Sequence, residues 1–193
     1  TNPLAPFAMV DYSVEGLSSA TITFDSAELF MNEIEWVLDH TPAAARSFAF
    51  AYLDDHEMTL TQASTGNSRL AGDLATPFGT YEFANPSATL DINAGPGANV
   101  VTLDTTDTTL LAAVTINGDG GADTIDSSLS DLADLTINGG DDNDSVLGGV
   151  GNEVINGNGG DDSLAGGAGS DTLDGGEDND SLAGGAGSDS LDG

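Results

Sequence analysis

From Gly139 to Asp192 the chain reads GGDDNDSVL, GGVGNEVIN, GNGGDDSLA, GGAGSDTLD, GGEDNDSLA, GGAGSDSLD, six contiguous units of nine residues. Glycine opens every unit, an acid stands at position six and a single apolar residue at position eight. The acids are Asp144, Glu153, Asp162, Asp171, Asp180 and Asp189; the apolar residues are Val146, Ile155, Leu164, Leu173, Leu182 and Leu191. An earlier unit, GDGGADTID, runs from Gly118 to Asp126 and places Asp123 at position six. Composition alone would assign such a glycine- and aspartate-rich stretch to a disordered linker. A linker has no reason to hold a fixed phase over six units, whereas a stack of short identical elements must.

The unit resembles the G-G-x-G-x-D-x-U-x nonapeptide of RTX (haemolysin-type) calcium-binding proteins. The resemblance covers about residues 118–193. It implies a parallel β-roll or β-helix, Ca2+ as the bound ion, and a secreted protein. Members of that family are typically exported unfolded by one-step (type I) secretion.

The spacing has a physical basis of its own. One unit is a glycine-rich turn followed by a very short strand whose position-eight residue points inward. Two units make a coil of eighteen residues with a turn on each side. Coils stack at the strand spacing of ~4.8 Å, and calcium takes oxygens at ~2.3–2.6 Å. An ion between two stacked turns therefore meets oxygens from both. The position-six acids fall into two columns, with Asp123, Asp144, Asp162 and Asp180 on one side and Glu153, Asp171 and Asp189 on the other. Like charges stacked this closely repel unless they are bridged, which argues against a dry solenoid. Gly140, Gly149, Gly151, Gly160, Gly167, Gly169, Gly176, Gly185 and Gly187 let the turns reach positive φ and aim backbone carbonyls at the ion. Asp142 and Asp178 replace the fourth-position glycine, either as added ligands or as strained turns, and Glu153 is one methylene longer than its counterparts.

Coils larger than eighteen residues precede the regular ones. Ile92-Asn93, Ile116-Asn117, Ile137-Asn138, Ile155-Asn156, Leu173-Asp174 and Leu191-Asp192 align at spacings of 24, 21, 18, 18 and 18 residues. In the first coil Asn99 occupies the place of Asp123, so a neutral, weaker oxygen ligand is expected there. A calcium-binding β-roll of 24-, 21- and 18-residue coils is thus expected over residues 89–193.

Residues 1–88 differ in composition. All eleven aromatics lie there, with only four of the 26 glycines. Ala20–Phe24, Ser47–Tyr52, Met58–Gln62, Thr80–Phe83 and Thr89–Ile92 alternate with period two and predict strands. Asp54-Asp55-His56 reads as a tight connection. Ser26–Asp39 fits a helix face through Phe30, Ile34 and Val37, or a strand face through Ile34, Trp36 and Leu38. The layout is similar to that of a domain found beside such repeats in large secreted bacterial proteins. The expected fold class is all-β, a small β-rich N-terminal domain leading into the parallel β-roll.

Charge and motifs narrow the function. The 193 residues carry 33 acids against two basic residues, Arg46 and Arg69, for a net charge of −31, with no cysteine. Nucleic acid and anionic membrane surfaces would repel such a chain, and no apolar run approaches the ~18 residues of a spanning helix. No HExxH or GxSxG motif occurs, and His40 and His56 have no convergent partners, so a non-enzymatic protein is expected. Five stacked acidic pairs would take five divalent ions, leaving −31 + 10 = −21, which fits a saline setting that screens the remainder. The partners expected are calcium ions and either further copies of the chain, stacked end to end as a filament or surface layer through the open last coil, or other surface proteins. The alternative is the repeat portion of a larger type I secreted enzyme or adhesin.

Overall fold

The computed structural model describes residues 10–11, 19–24, 36–39, 45–50, 57–72, 80–105, 110 and 113–193. Among them every regular element is a strand and none is a helix. The first group is β1 (Val10–Asp11), β2 (Ser19–Phe24), β3 (Trp36–Asp39), β4 (Ala45–Phe50), β5 (Glu57–Ser64), β6 (Asn67–Gly72) and β7 (Thr80–Ala84). Next come β8 (Thr89–Asn93), β9 (Val100–Asp104), β10 (Ala113–Gly120), β11 (Thr124–Asp126), β12 (Asp134–Asp141) and β13 (Ser145–Leu147). The regular coils supply β14 (Asn152–Gly159), β15 (Ser163–Gly169), β16 (Thr172–Glu177), β17 (Ser181–Gly187) and β18 (Ser190–Asp192).

The strands form two sheets, ordered β1-β3-β7-β6-β5-β9-β11-β13-β15-β17 and β2-β4-β8-β10-β12-β14-β16-β18. All neighbours are parallel except around β6, which pairs antiparallel with β5 and β7. The chain alternates between the sheets from β8 onward, so each coil contributes one strand to each. This is a parallel β-solenoid of the β-roll type.

Inward residues stack in two apolar columns. In the second sheet Phe48, Ile92, Ile116, Ile137, Ile155, Leu173 and Leu191 are in register. In the first sheet Met58, Val101, Ile125, Val146, Leu164 and Leu182 are in register. Ile92 through Leu173 and Met58 through Leu164 are buried, and burial falls off only at Leu182 and Leu191 in the last coil. A period of two in a half-buried parallel strand puts one side chain in and its neighbours out, which is why a single apolar residue per unit suffices.

The coil lengths change on one side only. From the second sheet to the first, the steps Ile92 to Val101, Ile116 to Ile125 and Ile137 to Val146 are all nine residues. The return steps, Val101 to Ile116, Ile125 to Ile137 and Val146 to Ile155, are fifteen, twelve and nine. One edge of the solenoid is therefore a uniform column of turns, while the other opens with longer loops.

The sheets continue across the change in composition near residue 88. β4 pairs with β8 through Phe48 and Ile92, and β5 pairs with β9 through Met58 and Val101. Phe48 and Phe83 meet across the interior with ring centroids 5.2 Å apart. The expected strands at 20–24, 58–62, 80–83 and 89–92 lie within β2, β5, β7 and β8; of the strand expected at 47–52, residues 47–50 lie within β4 and 51–52 lie outside the described residues. Trp36–Asp39 is strand, which settles that end of the ambiguous segment; residues 25–35, the Asp54-Asp55-His56 connection and His40 lie outside the described residues. β6 had not been expected. Thr65-Gly66 turns the chain with Gly66 at φ 83, and Arg69 faces Glu82 across the β6–β7 pair at 3.3 Å.

A second ladder runs on the outer face. Asn117 Nδ2 donates to Asn93 Oδ1 at 2.6 Å, Asn138 Nδ2 to Asn117 Oδ1 at 2.7 Å, and Asn156 Nδ2 to Asn138 Oδ1 at 2.8 Å. Asn117 and Asn138 each both donate and accept along the coil axis, so the ladder fixes register as well as adding hydrogen bonds.

Candidate metal centre

The turns are built from backbone conformations that ordinary residues avoid. Second and fourth turn positions are left-handed at Gly121, Gly140, Gly160, Gly167, Gly169, Gly176, Gly185 and Gly187, with φ between 98° and 145°. Asp119, Asp142, Asn158 and Asp178 hold the same positions at φ 74–76°. Asp and Asn are the non-glycine residues that best tolerate this region, so Asp142 and Asp178 complete turns of the same shape. Gly149 and Gly151 are not left-handed, so the turn of Glu153 is built differently.

The position-six acids stack as the sequence spacing predicts, and one oxygen of each aspartate among them is committed to the stack. Asp123 Oδ1 accepts the Asn99 N–H at 2.7 Å, and Asp144 Oδ1 accepts the Asp123 N–H at 2.8 Å. Asp162 and Asp180 take the N–H groups of Asp144 and Asp162 at 2.8 and 3.0 Å. On the other edge, Asp171 accepts the Glu153 N–H at 2.9 Å and Asp189 the Asp171 N–H at 3.1 Å. Each of these six aspartates thus reaches back one coil.

The second oxygen has no such partner. Oδ2 of Asp123, Asp144, Asp162, Asp171 and Asp180 is buried without a hydrogen bond, as are both carboxylate oxygens of Glu153. A buried, unpaired carboxylate oxygen is costly and calls for a proton or a cation. Burial pushes the Asp123 carboxyl up to about 6. Burial, then the charges of Asp123 and Asp162, push Asp144 up to about 7. Burial, then the charge of Asp171, push Glu153 up to about 7. Burial likewise raises Asp162, with the charge of Asp180 adding to it.

A cradle lies beside each orphaned aspartate oxygen. A Cβ added to Gly118 would touch both Asp123 Oδ2 and the carbonyl of Gly139, one coil on. The same pairing recurs at Gly139 with Asp144 and Gly157, at Gly157 with Asp162 and Gly175, and at Gly166 with Asp171 and Gly184. Carboxylate and carbonyl oxygens from consecutive coils therefore converge on four equivalent places. Among the described residues no three acidic or histidine side chains converge, so an ion here must draw on backbone carbonyls. Carboxylate plus carbonyl is the hard oxygen donor set that calcium prefers. At Gly175 and Gly184 the nearest atoms are those of the Asp180 and Asp189 carboxylates.

Two positions depart from this pattern. Asn99 Nδ2 donates to the carbonyls of Gly95 and Gly97 at 2.8 and 2.9 Å. Its amide therefore takes up the turn carbonyls itself. Glu153 is not among the nearest neighbours of the Gly148 cradle, which are the carbonyls of Ala165 and Gly166. Its extra methylene carries Oε1 toward Gly151 instead.

The position-one glycines, Gly118, Gly139, Gly157 and Gly166, were not among the residues singled out from the sequence. Their recurrence at the head of each unit was the available signal. The family described as RTX calcium-binding nonapeptide repeat, in four copies, matches residues 113–130, 136–164 and 156–191. No curated protein and no solved structure matches the chain.

Proposed function

Starting from a segment, residues 113–191, that carries RTX calcium-binding nonapeptide repeats, we propose that the chain is a non-catalytic extracellular structural protein whose coils lock together on calcium. The observation that carries this reading is the inter-coil cradle, where an orphaned Asp Oδ2 faces a glycine carbonyl of the next coil. Four ions, at Asp123, Asp144, Asp162 and Asp171, supply the missing partner and join each coil to the next. They leave −31 + 8 = −23 on the protein. Folding and binding are then one process. Extracellular calcium modules bind at ~10⁻⁴–10⁻³ M, so the repeats stay open in calcium-poor cytosol and close outside the cell. Counting bound calcium in Asp144→Asn, Asp162→Asn and Asp171→Asn proteins tests the assignment, since each is expected to lose one ion.

A finer reading concerns the last coil. Asp180 and Asp189 each present an oxygen to a cradle in the last coil, at Gly175 and Gly184, and Leu191 is 45% exposed. A second copy stacked end to end would complete both, giving a filament or surface layer. A further coil of a longer secreted enzyme or adhesin would do the same. Sedimentation of the chain in millimolar calcium separates them: concentration-dependent growth supports self-stacking, and a monomer at all concentrations contradicts it.

A further inference from the structure

The longer loop of the 21-residue coil raises a separate question. Seven residues, 127–133, connect β11 to β12, against four, 148–151, between β13 and β14. The loop stacks directly on the irregular Glu153 turn. Ser127 N and Oγ both donate to the Leu147 carbonyl at 2.8 Å, and the Val150 N–H reaches the Ser130 carbonyl at 3.4 Å.

Oxygens crowd this contact. A Cβ on Gly149 would lie 2.6 Å from the Ser130 carbonyl oxygen, 2.9 Å from that of Ser127 and 3.1 Å from Ser130 Oγ. A Cβ on Gly151 would touch the Leu132 carbonyl oxygen and lie 2.8 Å from Glu153 Oε1. Ser130 is 2% exposed and Glu153 1%. Ser130 Oγ and both Glu153 carboxylate oxygens lack a well-formed hydrogen bond, although the Gly149 and Gly151 backbone amides face the carboxylate and offset part of the rise that burial gives its pKa. Two buried polar side chains on adjacent layers are thus left without partners among backbone carbonyls, an arrangement that costs free energy on both sides until something positive enters.

We propose that the loop 127–132 and the turn 148–153 hold a calcium-class divalent cation of their own, taken by the Glu153 carboxylate, the Ser130 hydroxyl and the carbonyl of Leu132. This site lies outside the nonapeptide pattern. It faces back toward the preceding loop, whereas the repeat cradles pair a position-six aspartate with the following coil. Glutamate is the residue it requires: the extra methylene places the carboxylate beside Gly151 and Leu132, where an aspartate would fall short. One carboxylate, one hydroxyl and neutral carbonyls form an all-oxygen set suited to a hard cation.

The test is a calcium titration of the full chain by calorimetry in four forms: wild type, Ser130→Ala, Glu153→Asp and the double variant. Ser130→Ala should weaken one ion by roughly 10-fold, as expected for loss of an oxygen facing a charge. In the Glu153→Asp background, where the carboxylate has withdrawn, Ser130→Ala should change nothing. The aspartate restores the repeat's own consensus, so a repeat-type role for Glu153 predicts unchanged or tighter binding in that variant. No effect of Ser130→Ala in wild type, or an equal effect in both backgrounds, overturns the proposal. Asp162→Asn, titrated alongside, reports on the repeat cradles alone, so failure of that reading is seen separately.

Discussion

Asp162 Oδ1 accepts the backbone N–H of Asp144 from one coil back at 2.8 Å, and this bond leaves Asp162 Oδ2 buried and unpaired beside the Gly175 carbonyl of the next coil. One carboxylate therefore ties three layers. Its first oxygen is satisfied by the fold and its second is left for an ion.

Replacing that second oxygen with an amide should imitate Asn99. In Asp144→Asn the side-chain Nδ2 is expected to donate to turn carbonyls as Asn99 does to Gly95 and Gly97. The protein should lose one calcium ion, and its calcium-free form should gain stability from the lost charge and the new hydrogen bonds, about 1 kcal/mol. Ion counting and denaturant unfolding without calcium would check both halves.

Filling a cradle should abolish a site without disturbing the turn's backbone. Gly157 is not left-handed, yet a Cβ there meets Asp162 Oδ2 and the Gly175 carbonyl. Gly157→Ala is expected to lose one ion and raise the calcium midpoint for folding. Gly159, two residues on, has nothing within 4 Å of its Cβ position. Gly159→Ala should stay within about ±0.5 kcal/mol of wild type. Parallel calcium titrations followed by circular dichroism distinguish the two.

Acid should substitute in part for calcium. The carboxyls of Asp123, Asp144 and Glu153 stand at about 6, 7 and 7 in the fold, against ordinary values of 3.8, 3.8 and 4.5. A raised folded-state pKa means the folded chain binds protons more tightly than the unfolded one. The stability of the calcium-free fold is thus fully present below about pH 4 and is lost as pH rises through about 6 to 7. Calcium affinity runs the other way and weakens as protons reclaim the same oxygens. Circular dichroism of calcium-free protein across this range should show structure lost on neutralisation.

The asparagine ladder should contribute independently of metal. Asn138→Ala removes the bonds to Asn117 and from Asn156. A loss on the order of 1–2 kcal/mol is expected in saturating calcium, with the ion count unchanged. Denaturant unfolding combined with calcium analysis would show it.

The repeat made the later coils legible because nothing in them competes with it. Position eight fixed both inward columns from Val146 to Leu173, and position six fixed the two acidic columns. The same Ile-Asn alignment at residues 92, 116, 137 and 155 predicted the register of the larger coils. It did not reveal that all the extra length lies on one edge, because spacing between equivalent residues cannot say which of two corners is longer. Nor did it reveal that asparagines adjoining the core residues bond to each other, since their role depends on side-chain direction across coils. β6 escaped notice because Asn67–Gly72 offers one large apolar residue, Leu70, and takes its strand form from pairing on both sides. Glu153 was read as a longer copy of its neighbours, whereas its environment is set by a loop 21–26 residues upstream that no repeat describes.

The most direct test of metal-locked stacking is amide hydrogen exchange over residues 113–191 with calcium, with magnesium, and after complete calcium removal at pH 7.5. Slow exchange along the inward strands only when calcium is present is the predicted result, with magnesium failing to replace it. Equal protection in all three conditions would contradict it, since the coils would then be holding together across a column of unbridged carboxylates.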